Sequence, residues 1–147
     1  MLLPATPQTD QLSHAVAWSG KRQLELNNLP LVLQEPDFCG PAALAMALQQ
    51  SGTSSTQDDL AQKVFLPSRT GTLQTEMLAG PRHFGVVAYE LDGRLTTLLK
   101  ATEQGRSPIV LLNLGLSWAP RWHYALVMGY DLDHGDIALD VDSDHLG

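Results

Sequence analysis

The chain of 147 residues contains a single cysteine, Cys39. One cysteine excludes a disulfide within the chain and a zinc site built from several cysteines. It does not fix the redox compartment, because a lone thiol occurs in oxidising and reducing surroundings alike. The thiol is either a small packed side chain or a reactive group, and its neighbours must decide between the two.

Basic residues are also scarce. Nine Lys and Arg residues stand against sixteen Asp and Glu residues, which gives a formal charge of −7. The basic residues are scattered, so no nucleic-acid partner is predicted. The longest apolar run is far shorter than the roughly 18 residues that span a membrane, so no membrane span is predicted either.

The first residues, "MLLPATPQTDQ", contain neither a basic segment nor a sustained apolar one. They therefore do not have the pattern of a signal peptide. We expect a cytoplasmic protein, or one of the cell envelope or periplasm if the chain was cut from an exported precursor.

The rest of the composition is that of one globular domain, with 44% hydrophobic and 17% charged residues. Residues 1–28 are polar and mixed, and we assign them to a lead-in segment before a single domain over residues 29–147. Helical patterns precede most strand-like ones, which predicts an α+β fold with N-terminal helices packed on an antiparallel sheet. The predicted helices are Cys39–Ser51, a second one capped by Ser55 with Asp58, a third from Leu73 to the Gly80–Pro81 interruption, and Leu95–Gly105; the predicted strands are Leu29–Gln34, Val86–Leu91, Pro108–Leu114, His123–Tyr130 and Asp136–Val141.

Cys39 lies where a helix is predicted to begin, in "QEPDFCGPAALAMAL". The unpaired backbone N–H groups and the positive end of the helix dipole favour thiolate over thiol at such a position. The thiolate is the nucleophilic form, so the placement suits catalysis. The alternative is that Cys39 is a small buried side chain.

A nucleophilic cysteine needs a base, and His123 is the strongest candidate among five histidines. It begins the apolar segment "HYALVMGY" and has Trp118 and Trp122 close before it. The alternative is a histidine that is satisfied at a strand end. The acidic residues between the last two strands do not fit a calcium loop, because Gly135 comes one position early and no closing Glu follows. We therefore predict a solvated turn and no metal.

Two motifs together resemble the papain-like double-glycine leader peptidases, which are cysteine peptidases that clip leader peptides from bacteriocin precursors. These are "QEPDFCGPAAL" and "HYALVMGYD", and the resemblance covers about residues 29–142. The segments "LPSRTGTLQTEML" and "PRWHYALVMGYD" are similar to a stand-alone branch that precedes helical repeats on exported bacterial proteins. The resemblance implies a papain-like fold, a peptide or protein substrate, no cofactor, and a C-terminal helical-repeat segment beyond this chain.

The resemblance also implies roles for individual residues. Cys39 is the nucleophile and His123 the general base. Gln34 forms the oxyanion hole with the Cys39 backbone N–H, although it lies five residues before the cysteine where six is commoner. Asp140 is the acid that orients His123, and Asp142 is the alternative.

The hairpin between the last two strands decides which acid can reach His123. A tight turn at His134–Gly135 would place Asp140 opposite Gly129, roughly 20 Å along the strand from His123. A wider loop centred near Asp131–Leu132 would bring Asp140 to His123, and a loop centred one residue later would bring Asp142. From the sequence, Asp140, Asp142 and a site without an acid all stay open.

The predicted function is cleavage of a peptide bond after a Gly-Gly-like pair of small residues by a Cys-His-Asp triad. We expect Trp122 and Tyr124 to narrow the cleft beside His123, although large aromatic residues there can equally be packing. Two alternatives remain: a non-catalytic peptide-binding module of the same fold, and an acyl or amide transferase that uses the same triad.

Overall fold

The computed structural model describes residues 19–27, 29–30, 32, 37–65 and 72–140. Gln34 and Asp142 lie outside these ranges. The elements of the described residues, in chain order, are β1 Gln23–Glu25, α1 Cys39–Gln50, α2 Gln57–Val64, α3 Gln74–Ala79, a 3₁₀ helix Gly80–Phe84, α4 Leu95–Glu103, β2 Ile109–Asn113, β3 Trp122–Asp131 and β4 Asp136–Asp140.

The sheet is built around β3, which pairs antiparallel with each of the other three strands. β2 pairs with the first half of β3, while β1 and β4 pair with its second half. The predicted α+β fold with helices and an antiparallel sheet is confirmed. None of the described helices is long and apolar enough to cross a membrane.

The hydrophobic core forms on both faces of β3. Tyr124 belongs to the cluster beneath α1, whereas Ala125 belongs to another cluster that includes Leu98 of α4. Successive residues of a strand point to opposite faces, so α1 and α4 cover opposite faces of the sheet. The α1 cluster consists of Ala43, Leu44, Ala45, Leu48, Leu60, Val64, Met77 and Tyr124, with Cys39 packed against it.

Helix α1 begins and ends close to its predicted bounds. Pro41 lies in the first turn, where its missing N–H costs no helical hydrogen bond. Ser51 caps the C-terminus, and Gly52 follows with φ +86°, a conformation that favours glycine. The local sequence signals therefore agree with the folded helix, which places Cys39 at its first residue.

The predicted cap of α2 is wrong by one residue. Thr56, not Ser55, caps the helix: its side chain accepts from Asp59 N, and the Asp59 side chain accepts from Thr56 N. Ser55 is turned inward instead, and its carbonyl accepts from Gln49 of α1. Ser55 therefore contacts α1 and leaves the cap to Thr56.

Thr56→Ala should lower the free energy of unfolding by about 1 kcal/mol, because it removes the hydroxyl that accepts from Asp59 N and donates to Asp59 Oδ2. Ser55→Ala is the matched control and should change stability by less, since the Ser55 hydroxyl takes no part in the cap. Urea denaturation of the two variants checks this. Equal losses would contradict the assignment of the cap to Thr56.

The predicted strand Val86–Leu91 is also wrong. These residues pair with no strand in the described part of the sheet, and Val87 and Tyr89 are 71% and 64% exposed. Strand-forming residues adopt a strand only where a neighbouring strand is available, and β3 is already paired with β1, β2 and β4. The strand predicted over residues 29–34 is described at three positions, and none of these lies in a strand.

Candidate active site

Cys39 is the first residue of α1 and is partly exposed. Phe38, the residue that caps the helix, offers no side-chain acceptor, and no acidic residue lies in the first turn. The first helical bond joins Ala42 N to Phe38 O. The backbone N–H groups of Cys39 and Gly40 therefore have no helical acceptor, and they and the positive end of the helix dipole lie beside the thiol.

Long-range contacts hold the start of α1 in place. The Phe38 ring packs edge-to-face on Phe65, at the end of α2, with centroids 4.9 Å apart. On the other side Thr72 comes so close to Gly40 that a Cβ there would lie 2.8 Å from the Thr72 Cβ. Glycine is needed at position 40 because any side chain would push this segment away. Sequence patterns gave no signal for these contacts, since the partners are distant in the chain.

His123 is the second residue of β3 and lies opposite Leu112 of β2. The residue is 8% exposed, and its Nε2 atom is shielded from solvent. The chain enters β3 through a well-bonded loop, in which Asn113 Oδ1 accepts from Gly115 N at 3.0 Å and from Arg121 N at 2.9 Å. The imidazole is therefore carried by a rigid part of the sheet.

Tyr124, next to His123, lies against the start of α1. It belongs to the cluster on which Cys39 packs, and it is almost fully buried. Burial raises the pKa of the Tyr124 phenol above its ordinary value, and nearby negative charge on Cys39 and on Glu76 raises it further. The fold thus brings the start of β3 to the start of α1, two sites that are far apart in the sequence. Sequence reasoning missed Glu76, which no motif marks.

The two tryptophans before His123 remain at the surface. Trp122 is 63% exposed and Trp118 is 79% exposed. Trp122 pairs with Asn113 at the end of the sheet. Tyr124, the other residue predicted to narrow the cleft, packs beneath α1 in the cluster that Cys39 contacts.

Asp140 is the last residue of β4, and the hairpin that carries it differs from a tight turn. Asp131 pairs with Asp136 across a loop of residues 132–135, and an irregularity between Val127 and Gly129 then shifts the register. Asp140 lies opposite Leu126 as a result, three residues along β3 from His123, or about 10 Å. Paired residues point to the same face, so Asp140 shares the face of Leu126, which α1 covers. Its Oδ2 atom is shielded from solvent.

The acidic turn of residues 131–134, at the other end of the hairpin, is held by hydrogen bonds among its own residues. Asp131 accepts from Asp133 N, from His134 N and from His134 Nδ1, the last at 2.7 Å, and also from Gln23 Nε2. The bond from His134 lowers the pKa of Asp131, and the same bond raises the pKa of His134. Within the described ranges no group of three or more His, Cys, Asp or Glu residues is arranged to hold a metal ion.

Comparison with known protein families identifies the family of this chain. The family model described as "Peptidase_C39 like family" matches residues 26–144, which include both motifs and the predicted site residues from Gln34 to Asp142. No curated protein and no solved structure gives a significant match to the chain.

Proposed function

Since the chain belongs to the Peptidase_C39 like family, we propose that it is an active cysteine peptidase that cleaves after a pair of small residues. The family indicates a cysteine peptidase-like function. The observation that carries the proposal is the packing of the His123–Tyr124 end of β3 against the helix start that bears Cys39.

His123 takes the proton from the Cys39 thiol, and the thiolate attacks the carbonyl carbon of the scissile bond. The Cys39 backbone N–H and the amide of Gln34 donate to the oxyanion of the tetrahedral intermediate. The C–N bond then breaks as protonated His123 gives its proton to the leaving amine, which leaves a thioester on Cys39. Water, deprotonated by His123, hydrolyses the thioester, and the departing thiolate regains the proton.

Asp140 orients the imidazole in this proposal. The Asp140 Oδ2 atom supports this role, because it is shielded from solvent and lies on the face of the sheet that α1 covers. Asp140 lies opposite Leu126, three residues along β3 from His123, so its role has to be tested beside Asp142.

Substrate selection is steric in this proposal. Trp122 and Tyr124 flank His123 in the sequence, and bulky side chains beside the base leave room only for small residues before the scissile bond. A larger residue is then rejected by clash rather than by a lost hydrogen bond.

A competition between two peptides tests the function. A Gly-Gly leader peptide should be cut, and the same peptide with Leu directly before the bond should be cut at least about 100-fold more slowly, or 2.7 kcal/mol of transition-state binding. Mass spectrometry of one mixture gives the ratio, and the Cys39→Ala variant is the matched control for contaminating peptidases. Comparable cleavage of both peptides would reject the small-pair specificity.

The same mixture separates the second candidate function. A peptide-binding module that does not cleave is favoured by the spacing of Gln34, which lies five residues before Cys39 where six is commoner. That module would bind the Gly-Gly peptide and leave it intact. Adding an amine acceptor distinguishes a transferase, because the product would then carry the amine instead of a free carboxylate.

A further inference from the structure

The segment Lys21–Leu26, which we call the N-terminal strap, is fastened to the distal end of the β3–β4 hairpin. Its backbone forms the β1 ladder, and Leu132 N donates to Arg22 O at 2.8 Å. Tyr130 Oη donates to Lys21 O at 3.0 Å, and Arg22 Nε donates to Asp133 Oδ1 at 2.6 Å. Lys21 N donates to Glu103 of α4.

The backbone bonds of the strap matter more than its ion pair. Both side chains of the Arg22–Asp133 pair are about half exposed, and exposed pairs contribute little. The ladder bonds, in contrast, run from Met128 to Leu132, along the end of β3 and the residue that follows it, and are repeated at every second residue. The strap therefore holds the backbone of β3 and not only its surface.

The strap bonds to the residue at which the hairpin register changes. Gly129–Asp131 is paired along both edges, with β1 on one and β4 on the other. Between Val127 and Gly129 the β3–β4 pairing shifts by one residue, and Met128 is the residue passed over. The Met128 carbonyl accepts from Leu26 N at 2.7 Å.

This irregularity decides which residue of β3 lies opposite Asp140. Without it, the pairing of Gly129 with Ala138 would continue to Val127 with Asp140. The shift pairs Asp140 with Leu126 instead, one residue closer to His123 along β3. The face of Asp140 follows from its neighbour Leu139, which packs on the α4 side.

We propose that the N-terminal strap is a positioning element of the site, which fixes the irregularity at Met128 and so sets Asp140 opposite Leu126, one residue closer to His123 along β3 than a regular ladder would. The part that concerns catalysis rests on the proposed function. Residues 21–25 of the strap precede the region matched by the family model, which begins at residue 26. The strap is thus an element that the family resemblance does not assign.

Gly129→Ala tests the proposal, because a Cβ at this position would lie 2.3 Å from Leu24 O and would force the strap off. Gly93→Ala is the matched control, since a Cβ there meets nothing within 4 Å. Amide hydrogen exchange is measured in β4 and in α1. In Gly129→Ala we expect exchange at Ile137–Asp140 to rise at least about 10-fold, with α1 unchanged, and the control should match wild type.

Cleavage kinetics on the folded variant give the second readout. A misplaced orienting acid should lower kcat by about 10-fold or more and leave KM unchanged, whereas a purely structural strap would lower the melting temperature alone. Arg22→Ala, which keeps the backbone ladder, should change neither readout by more than about 2-fold. If Gly129→Ala fails to fold, Leu26→Pro replaces it, because proline has no N–H to donate to Met128 O.

Two results would overturn the proposal. One is a Gly129→Ala variant in which the amide hydrogens of the strap exchange freely while those of β4 exchange as slowly as in wild type. The other is a loosened β4 with unchanged kcat. If the wild-type protein cleaves no peptide, the proposed function fails separately, and the exchange data alone still decide whether the strap holds the irregularity.

Discussion

Cys39→Ala should abolish peptide cleavage while leaving the protein as stable as wild type. Without the thiolate no thioester forms, and losing a nucleophile of this kind costs on the order of 10⁵-fold or more in kcat. Cys39 is only partly buried and makes no disulfide, so its replacement removes little packing. Alanine also suits the first turn of a helix.

The measurement pairs a cleavage assay on the Gly-Gly peptide with urea denaturation of the same samples. Cys39→Ser is the matched control, because it keeps a hydroxyl of similar size at the same backbone position and should also be inactive. Cleavage that persists in both variants would show that Cys39 is a packing residue and that the family resemblance does not extend to catalysis here. A large loss of stability in Cys39→Ala would contradict the expectation that the Cys39 side chain contributes little to packing.

Local sequence signals were sufficient for the elements that surround the site. Helix α1 is marked by Pro41 and Gly52, and the strands that pair with β3 over Ile109–Asn113 and Asp136–Asp140 have branched apolar residues. The strand β1 was missed because its side chains are polar and mixed, and only pairing with β3 makes it a strand. The false strand at Val86–Leu91 is the converse case, in which strand-forming residues have no partner.

The residues of the candidate site also differ in whether local sequence marks them or only the folded chain does. Cys39 and His123 were predicted because each stands in a short motif, and the fold brings the start of α1 and the start of β3 together. Phe65, Thr72 and Glu76 were not found, because they reach the site from other parts of the chain. The register of Asp140 was beyond the sequence for another reason: it depends on a one-residue irregularity at Met128, which composition does not mark.

Asp140→Ala should slow cleavage by about 10- to 10⁴-fold, because an imidazole without its orienting partner is a poor base. The matched control is Asp142→Ala, an acidic residue two positions further along the same segment, which should change kcat by less than about 3-fold. Both are measured with the Gly-Gly peptide across a range of pH. Asp140→Asn adds a finer test, since it keeps the size of the side chain and removes its charge.

The pattern of these three variants identifies how His123 is held. Loss in both Asp140 variants, with kcat falling and KM unchanged, supports a carboxylate that acts through the imidazole. If Asp142→Ala is the damaging change, the partner lies two residues on, and the pairing of β4 continues past Asp140 in a register that brings Asp142 to His123. Loss in neither would mean that Cys39 and His123 work as a pair without an acid. In that case the carboxylate of Asp140, shielded from solvent opposite Leu126, serves the fold and not the reaction.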